Sequence, residues 1–147
     1  MKKTVALVLA NLAWLAFIFS NSLKNRVDSA DQSEAAEGFL RRILSALGFS
    51  GNTEAVAEIA VRKAAHIFEF FVLCFLMYLL VSQLCRQHRK ACLLAAIVSV
   101  LAAAVDESLQ LISNRGASVK DVLIDSVGVV IALGLVALVR RIKQSKA

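Results

Sequence analysis

Four stretches of the chain are long and apolar enough to predict helices that cross a lipid bilayer. A membrane-spanning helix needs about 20 predominantly apolar residues. The stretches cover residues of about 4–20, 64–82, 91–112 and 119–139. The third and fourth reach this length only if the acidic residues within them are counted as lying inside the membrane. The pattern therefore predicts an all-α, polytopic membrane protein with four transmembrane helices.

The segment between the first two spans shows a different pattern, which is typical of an amphipathic helix. Within about 31–48, apolar side chains recur at helical spacing, while acidic residues come early and Arg41 and Arg42 come later. This order of charges suits the helix dipole, and the spacing gives the helix one apolar face. We expect this helix to lie on the outer surface of the membrane or to cap the helical bundle.

Composition supports a membrane protein of one domain. The chain has 147 residues, 59% of them hydrophobic, and contains no proline; its mean hydropathy is +0.70. A soluble helical bundle of this size would have difficulty burying so much apolar surface, so it is the weaker interpretation. The first span also has the basic start of a signal peptide, but only a weak cleavage site follows it. We expect residues 1–147 to form a single membrane domain.

The chain has a net charge of +6, and its basic residues lie at the ends of the apolar spans, which is typical of residues that set membrane topology. They do not form the basic stripe of a nucleic-acid-binding surface. Short cytoplasmic loops of membrane proteins are enriched in lysine and arginine. Basic residues precede the first span, fill the loop between the second and third, and follow the fourth: Lys2, Lys3, Arg86, Arg89, Lys90, Arg140, Arg141, Lys143 and Lys146. Four spans place all three groups on one side of the cell membrane. We therefore expect both termini in the cytoplasm and no nucleic-acid partner.

Each predicted span carries a polar residue at nearly the same depth. These residues lie 14 to 17 positions from the basic, cytoplasmic end of their span: Ser20, Glu69, Asp106 and Asp125. At 1.5 Å per residue, all four lie roughly 21 to 25 Å from that end, close to the outer face of the bilayer. Because a charged group facing lipid costs about 2.5–3.5 kcal/mol on insertion scales, we expect these groups to face one another or water.

Helical spacing supports a shared polar pocket that opens outward. Three sets of neighbours each lie on one helical face: Arg62, His66 and Glu69; Asp106, Glu107 and Gln110; and Asp121, Asp125 and Gly128. Gly128 and Ala132 also form a small-xxx-small step, which lets membrane helices approach closely. The candidate ligand-binding residues are Ser20, Arg62, Lys63, His66, Glu69, Asp106, Glu107, Gln110, Arg115, Asp121 and Asp125.

The residues of this pocket leave several chemistries open. His66 and Glu69 could hold a divalent metal with Asp106 or Asp125, but a single histidine in the spans favours a charge-paired structural cluster. We therefore predict no metal and no cofactor. The alternative to a binding protein is a membrane enzyme that hydrolyses or transfers a lipid-linked substrate, with His66, Glu69, Asp106 and Glu107 as candidate acids and bases.

The basic residues near the pocket suggest a further kind of ligand. Arg62, Lys63 and Arg115 are expected at the outer interface, where they could hold the phosphate or carboxylate of a lipid headgroup or cell-wall precursor. The alternative is ordinary snorkelling of long basic side chains toward water. The sequence favours neither of these two interpretations over the other.

Three ordered segments of the chain resemble the VanZ-like family of small bacterial membrane proteins. They are "FSNSLKNRVDSADQS" after the first span, "RKAAHIFEFFVL" in the second, and "DESLQLISNRGASVKDVLIDSVGVVIA" across the third and fourth. The residues that match the family pattern are Arg62, Lys63, His66, Asp106, Glu107, Gln110, Arg115, Asp121 and Gly128. The chain departs from the family at Asn21–Ser22, at Asp125 and in lacking a proline before Arg115.

The resemblance implies a role at the bacterial cell surface. The family takes its name from a protein associated with resistance to the glycopeptide teicoplanin. The expected partners are accordingly the lipid bilayer and a cell-wall precursor, lipid headgroup or glycopeptide. A purely structural role beside another membrane protein is a third interpretation.

Overall fold

The residues that the structure describes form five α-helices. The computed structural model describes residues 2–23, 26–46, 53–85, 87–112 and 118–145, with the backbone alone over 26–35. Within these ranges the helices are α1 (Lys2–Ser22), α2 (Arg26–Ala46), α3 (Thr53–Leu84), α4 (His88–Ile112) and α5 (Val119–Ser145). The described residues contain no strand. The chain is thus an all-α protein, as its hydrophobic pattern predicts.

Four of the five helices, α1, α3, α4 and α5, are long and apolar enough to cross a membrane. Most of their large apolar side chains point away from the protein; Leu9, Leu101 and Val130, for example, are between 61% and 68% exposed. In water such a surface would be unfavourable, whereas lipid tails solvate it. The four helices therefore form a transmembrane bundle whose outer surface faces hydrocarbon.

The longest helix, α3, extends well beyond the thickness of a bilayer. Its 32 residues correspond to about 48 Å, compared with a hydrocarbon core of about 30 Å. The predicted second span, residues 64–82, is the part of α3 that follows its first three turns. The predicted amphipathic helix is α2, which packs against α3, and Arg41 of α2 forms a 2.6 Å ion pair with Glu54 at the start of α3.

Small side chains let the helices of the bundle pack closely. The inward face of α4 presents Ala91, Ala95, Ser99, Ala102 and Ala103, all of them buried. Since these residues recur about every four positions, they lie along one side of the helix. Larger buried side chains of neighbouring helices fill the space beside them: Ile18, Phe70 and Leu73.

Helices α3 and α5 touch through their backbones at Gly128. A β-carbon at this position would overlap the carbonyl oxygen of Ile67 and lie 2.8 Å from the backbone nitrogen of Phe71. Ala132, one turn further along α5, is fully buried. The predicted small-xxx-small contact is confirmed, and it brings α5 against the part of α3 that carries His66.

Candidate functional site

The candidate site is centred on His66, whose imidazole lies between three carboxylates from three helices. The distances from Nδ1 are 3.7 Å to Oε2 of Glu69, 3.8 Å to Oδ2 of Asp106 and 3.9 Å to Oδ1 of Asp125. All three are ion-pair distances and are longer than direct hydrogen bonds. We call His66, Glu69, Asp106, Glu107, Gln110 and Asp125 the acidic cluster.

The acidic and amide side chains of the acidic cluster are buried, whereas the His66 side chain remains 18% exposed. Asp106 and Asp125 are 0% and 1% exposed, while Glu69, Glu107 and Gln110 are also buried. Helical spacing explains how single helices contribute several members, because residues three or four positions apart lie side by side. The sequence predicts this convergence, and the structure brings these six predicted residues together.

Helix α1 completes the acidic cluster through the last two residues of its final turn. The Nδ2 atom of Asn21 donates a 3.0 Å hydrogen bond to Oε1 of Glu69, and Oγ of Ser22 donates a 2.5 Å hydrogen bond to Oδ1 of Asp106. Ser20, the residue predicted to contribute from this helix, is exposed, and its hydroxyl donates to the carbonyl of Phe17. The structure thus places Asn21 and Ser22, and not Ser20, in contact with the acidic cluster.

Trp14 provides a third contact between α1 and this region. Its indole Nε1 donates a 2.9 Å hydrogen bond to the backbone carbonyl of Glu69. Tryptophan has one polar atom on a large apolar ring, so a buried indole normally finds such an acceptor. Nothing in the sequence around Trp14 indicates this partner, which lies 55 positions further along the chain.

Gln110 and Glu107 connect α4 to the start of α5. The side-chain amide of Gln110 donates to Oδ2 of Asp106 at 3.2 Å and to Oε1 of Glu107 at 3.0 Å. The other oxygen of Glu107 accepts a 3.1 Å hydrogen bond from the backbone nitrogen of Ser118. Ser118 in turn caps α5, because its hydroxyl accepts a hydrogen bond from the backbone nitrogen of Lys120.

The predicted cationic residues lie beside the acidic cluster and form their own ion pairs. Arg62 contacts Glu58 at 2.7 Å on the same helix, and Lys63 contacts Asp121 of α5 at 3.4 Å. All four side chains are about one-third to one-half exposed. Arg115 lies outside the described residues. Arg62, Lys63 and Asp121 therefore form a polar rim next to the cluster.

A fully buried oxygen of the acidic cluster has no hydrogen-bond donor among the residues that the structure describes. It is Oδ2 of Asp125, which is buried. Potential ligand atoms of His66, Asp106 and Asp125 all lie within 4.8 Å of one another. The arrangement is therefore able to accept a proton, an ammonium group or a metal ion.

The chain matches the VanZ/LLP1 family over residues 7–140, which include the whole acidic cluster. The chain belongs to the VanZ/LLP1 family. The resemblance read from its sequence is thereby confirmed. No solved structure matches the chain.

A curated relative of this VanZ/LLP1 protein is "Uncharacterized membrane protein YwnJ" of Bacillus subtilis (strain 168). The two are 37% identical over 89 residues, which cover 60% of this chain and 58% of the relative. The chain thus spans little more than half the length of that relative. The family match, the relative and the four apolar helices agree that this VanZ/LLP1 chain is an integral membrane protein.

Proposed function

We propose that this VanZ/LLP1 protein binds the polar headgroup of an envelope lipid or a lipid-linked cell-wall precursor at the acidic cluster and its rim. The observation that carries the proposal is the convergence of four helices on the acidic cluster, with Asn21, Ser22 and Trp14 holding it from α1. Buried ionisable groups in a membrane protein are energetically costly and usually mark a binding site or pathway.

The rim supports a lipid-linked ligand over a freely soluble one. Arg62 and Lys63 lie one helical turn from His66, at the edge of the apolar surface of the bundle. A ligand with a phosphate beside its lipid tail would place the phosphate near these cations and its polar group near the cluster. Its tail would remain beside the exposed apolar residues of the bundle.

The proposed orientation places the acidic cluster near the outer leaflet. It rests on the basic residues at the opposite end of the bundle, where Lys2, Lys3, Arg140, Arg141 and Lys143 flank the helices. By the positive-inside rule this end faces the cytoplasm. The ligand would then enter the site from the extracellular side of the cell membrane, where cell-wall precursors and glycopeptides are found.

The experiment that tests the proposal compares lipid binding by matched charge variants. The purified protein is titrated in detergent with a polyprenyl phosphate, with phosphatidylglycerol and with uncharged diacylglycerol, and binding is followed by native mass spectrometry. We expect the phosphate-bearing lipids to bind and Lys63→Gln to weaken them about tenfold, a loss of about 1.4 kcal/mol. Lys143→Gln, at the other end of the bundle, serves as the control and should bind like the wild type.

The proposal is overturned if all three lipids bind alike, or if Lys63→Gln and Lys143→Gln behave identically. The link to glycopeptide resistance is a separate part of the proposal. It is tested by expressing the protein in a susceptible host and measuring growth inhibition by teicoplanin, with Lys63→Gln as the comparison. Unchanged inhibition in a host that contains the folded protein in its membrane would remove that link.

A further inference from the structure

We propose that His66, Asp106 and Asp125 bind a divalent transition-metal ion, Zn²⁺ or Mn²⁺. Each residue offers a ligand atom, and these atoms lie within 4.8 Å of one another. With metal–ligand bonds of about 2.0–2.6 Å, two ligands on opposite sides of an ion lie about 4 to 5 Å apart. The three side chains therefore already surround a volume of the right size.

The unpartnered oxygen of Asp125 is the observation that points to a ligand. Asp125 is 1% exposed, and its Oδ2 atom accepts no hydrogen bond from the described residues. The carboxylate faces the cluster, since its other oxygen lies 3.9 Å from Nδ1 of His66. A buried carboxylate oxygen without a donor is unfavourable unless an ion or a proton occupies the space in front of it.

Charge balance within the acidic cluster supports a cation over a further polar group. Glu69, Asp106, Glu107 and Asp125 are all buried carboxylates. Among the described residues, the cationic side chains on the neighbouring turn of α3 are engaged elsewhere, Arg62 with Glu58 and Lys63 with Asp121. A divalent ion would offset two of the negative charges, which one protonated imidazole cannot do.

The ligand atoms indicate which ions the site prefers. An imidazole nitrogen together with carboxylate oxygens suits zinc and manganese, whereas an all-oxygen site would suit calcium or magnesium. Glu69 is the next available ligand, because its Oε2 atom lies 3.7 Å from the same histidine nitrogen. It would raise the number of protein ligands from three to four.

The carboxylate of Asp106 is already held in place by outer partners, as in known metal sites. Ser22 donates to Oδ1 and Gln110 donates to Oδ2. Such outer partners orient a ligand, and their loss typically lowers metal affinity about 10- to 100-fold. Ser22 is therefore a positioning residue for the ion, although it belongs to α1 and would not bind the ion itself.

A bound ion would change the kind of headgroup that the site accepts. Four carboxylates alone repel a phosphate, whereas an ion with an open position attracts one. This consequence rests on the proposed function. The ion site itself does not, because it is measured on the purified protein without lipid.

The test uses the full-length protein in detergent and a matched pair of variants on α5. After purification without chelator, bound metal is measured by elemental analysis, and Mn²⁺ affinity is measured by electron paramagnetic resonance. We expect about one ion per wild-type chain. Asp125→Asn should lose it, whereas Asp121→Asn, one turn away and paired with Lys63, should retain it. Ser22→Ala should bind about 10- to 100-fold more weakly.

A spectroscopic signal identifies the ligand independently of the affinities. Cu²⁺, used as a probe of the same site, should show nitrogen hyperfine coupling in the wild type that is lost in His66→Gln. The inference is overturned if the wild type binds neither Zn²⁺ nor Mn²⁺ at millimolar concentration, or if monodisperse Asp125→Asn and Asp121→Asn bind equally. Lipid binding that persists in chelator would overturn the link to headgroup selection but leave the proposed function standing.

Discussion

The backbone of Gly128 on α5 lies directly against the carbonyl oxygen of Ile67 on α3. Ile67 follows His66, and Gly128 lies three residues after Asp125. The contact therefore fixes the distance between the imidazole and the carboxylate that faces it. Replacing the glycine hydrogen by any side chain would separate the two helices at the point where the acidic cluster forms.

We predict that Gly128→Ala destabilises the bundle by about 1–3 kcal/mol, the usual range for overpacking a close contact. Gly134→Ala is the matched control, because a β-carbon at Gly134 meets nothing within 4 Å. Alanine also favours helix over glycine by about 1 kcal/mol, so the control should be neutral or stabilised. Thermal unfolding in detergent, monitored by circular dichroism, measures the change in stability of each variant. Equal melting temperatures would contradict the close packing of α3 on α5.

Ser22 and Ser20 form a second matched pair, two residues apart on α1. Ser22→Ala removes the donor to a fully buried carboxylate, which we expect to cost about 1–3 kcal/mol. Ser20→Ala removes only a bond to the carbonyl of its own helix at an exposed position, and should change stability by less than about 0.5 kcal/mol. Chemical denaturation in mixed micelles measures the difference. A larger effect of Ser20→Ala would mean that α1 turns Ser20, and not Ser22, toward Asp106.

Asp106 and Asp125 should respond differently to removal of their charge. In chelator, Asp106→Asn is expected to lower the stability by about 1–3 kcal/mol, because both of its oxygens accept hydrogen bonds. Asp125→Asn removes one of several crowded negative charges, and its amide nitrogen can take the place of Oδ2, which accepts no hydrogen bond from the described residues. It should therefore be neutral or stabilising. The melting temperatures of the two variants measure this difference. An equal decrease in melting temperature in both variants would indicate that the Asp125 charge is compensated within the protein.

The proposed orientation of the chain is tested with topology reporters. A fluorescent protein that matures only in the cytoplasm, fused after residue 147, should be bright, and alkaline phosphatase at the same position should be inactive. The same reporters inserted after residue 46, beyond α2, should give the opposite pattern. Cytoplasmic fluorescence at both positions would exclude a cluster that faces outward.

The enzymatic alternative predicts turnover that depends on the acidic cluster. Purified protein incubated with total bacterial lipid extract should convert a lipid-linked substrate, and Glu69→Gln should abolish the conversion if this carboxyl group transfers a proton. Lys143→Gln, at the opposite end of the bundle, is the control and should retain the conversion. If no lipid is converted by the wild type under conditions in which it binds lipid, the binding function stands alone.

Helical periodicity was sufficient to predict most of the acidic cluster. His66 and Glu69 share a face of α3, and Asp106, Glu107 and Gln110 share a face of α4, because residues three to four apart are neighbours on any helix. The length of the apolar runs and the basic flanks then place these faces at a common level.

The contribution of α1 shows where such an argument fails. Ser20 and Ser22 differ by only about 3 Å in height but by about 200° around the helix. Depth therefore cannot distinguish them, and the choice depends on how α1 is rotated against α3 and α4. The rotation follows from side-chain packing between helices and from the hydrogen bond of Trp14 to the backbone of Glu69, neither of which leaves a periodic signal in the sequence.

The rim cations show a related limit. The pairing of Arg62 with Glu58 is readable from their four-residue spacing. The pairing of Lys63 with Asp121 joins residues that are distant in sequence and depends on the approach of α5 to α3. The sequence left open whether these cations hold an anion or extend toward water, and it did not indicate that an anionic ligand must first displace or share their carboxylate partners.

Helix α3 connects α2 directly to the acidic cluster. One uninterrupted helix contacts α2 near its first turn, through Glu54, and bears His66 about 18 Å further along its axis. It meets α5 one residue beyond, at the Gly128 contact. A displacement of α2 would tilt α3 about that contact and shift the imidazole of His66 relative to the carboxylates of α4 and α5. Attachment of α2 to lipid or to another protein would in this way change the spacing of the buried charges.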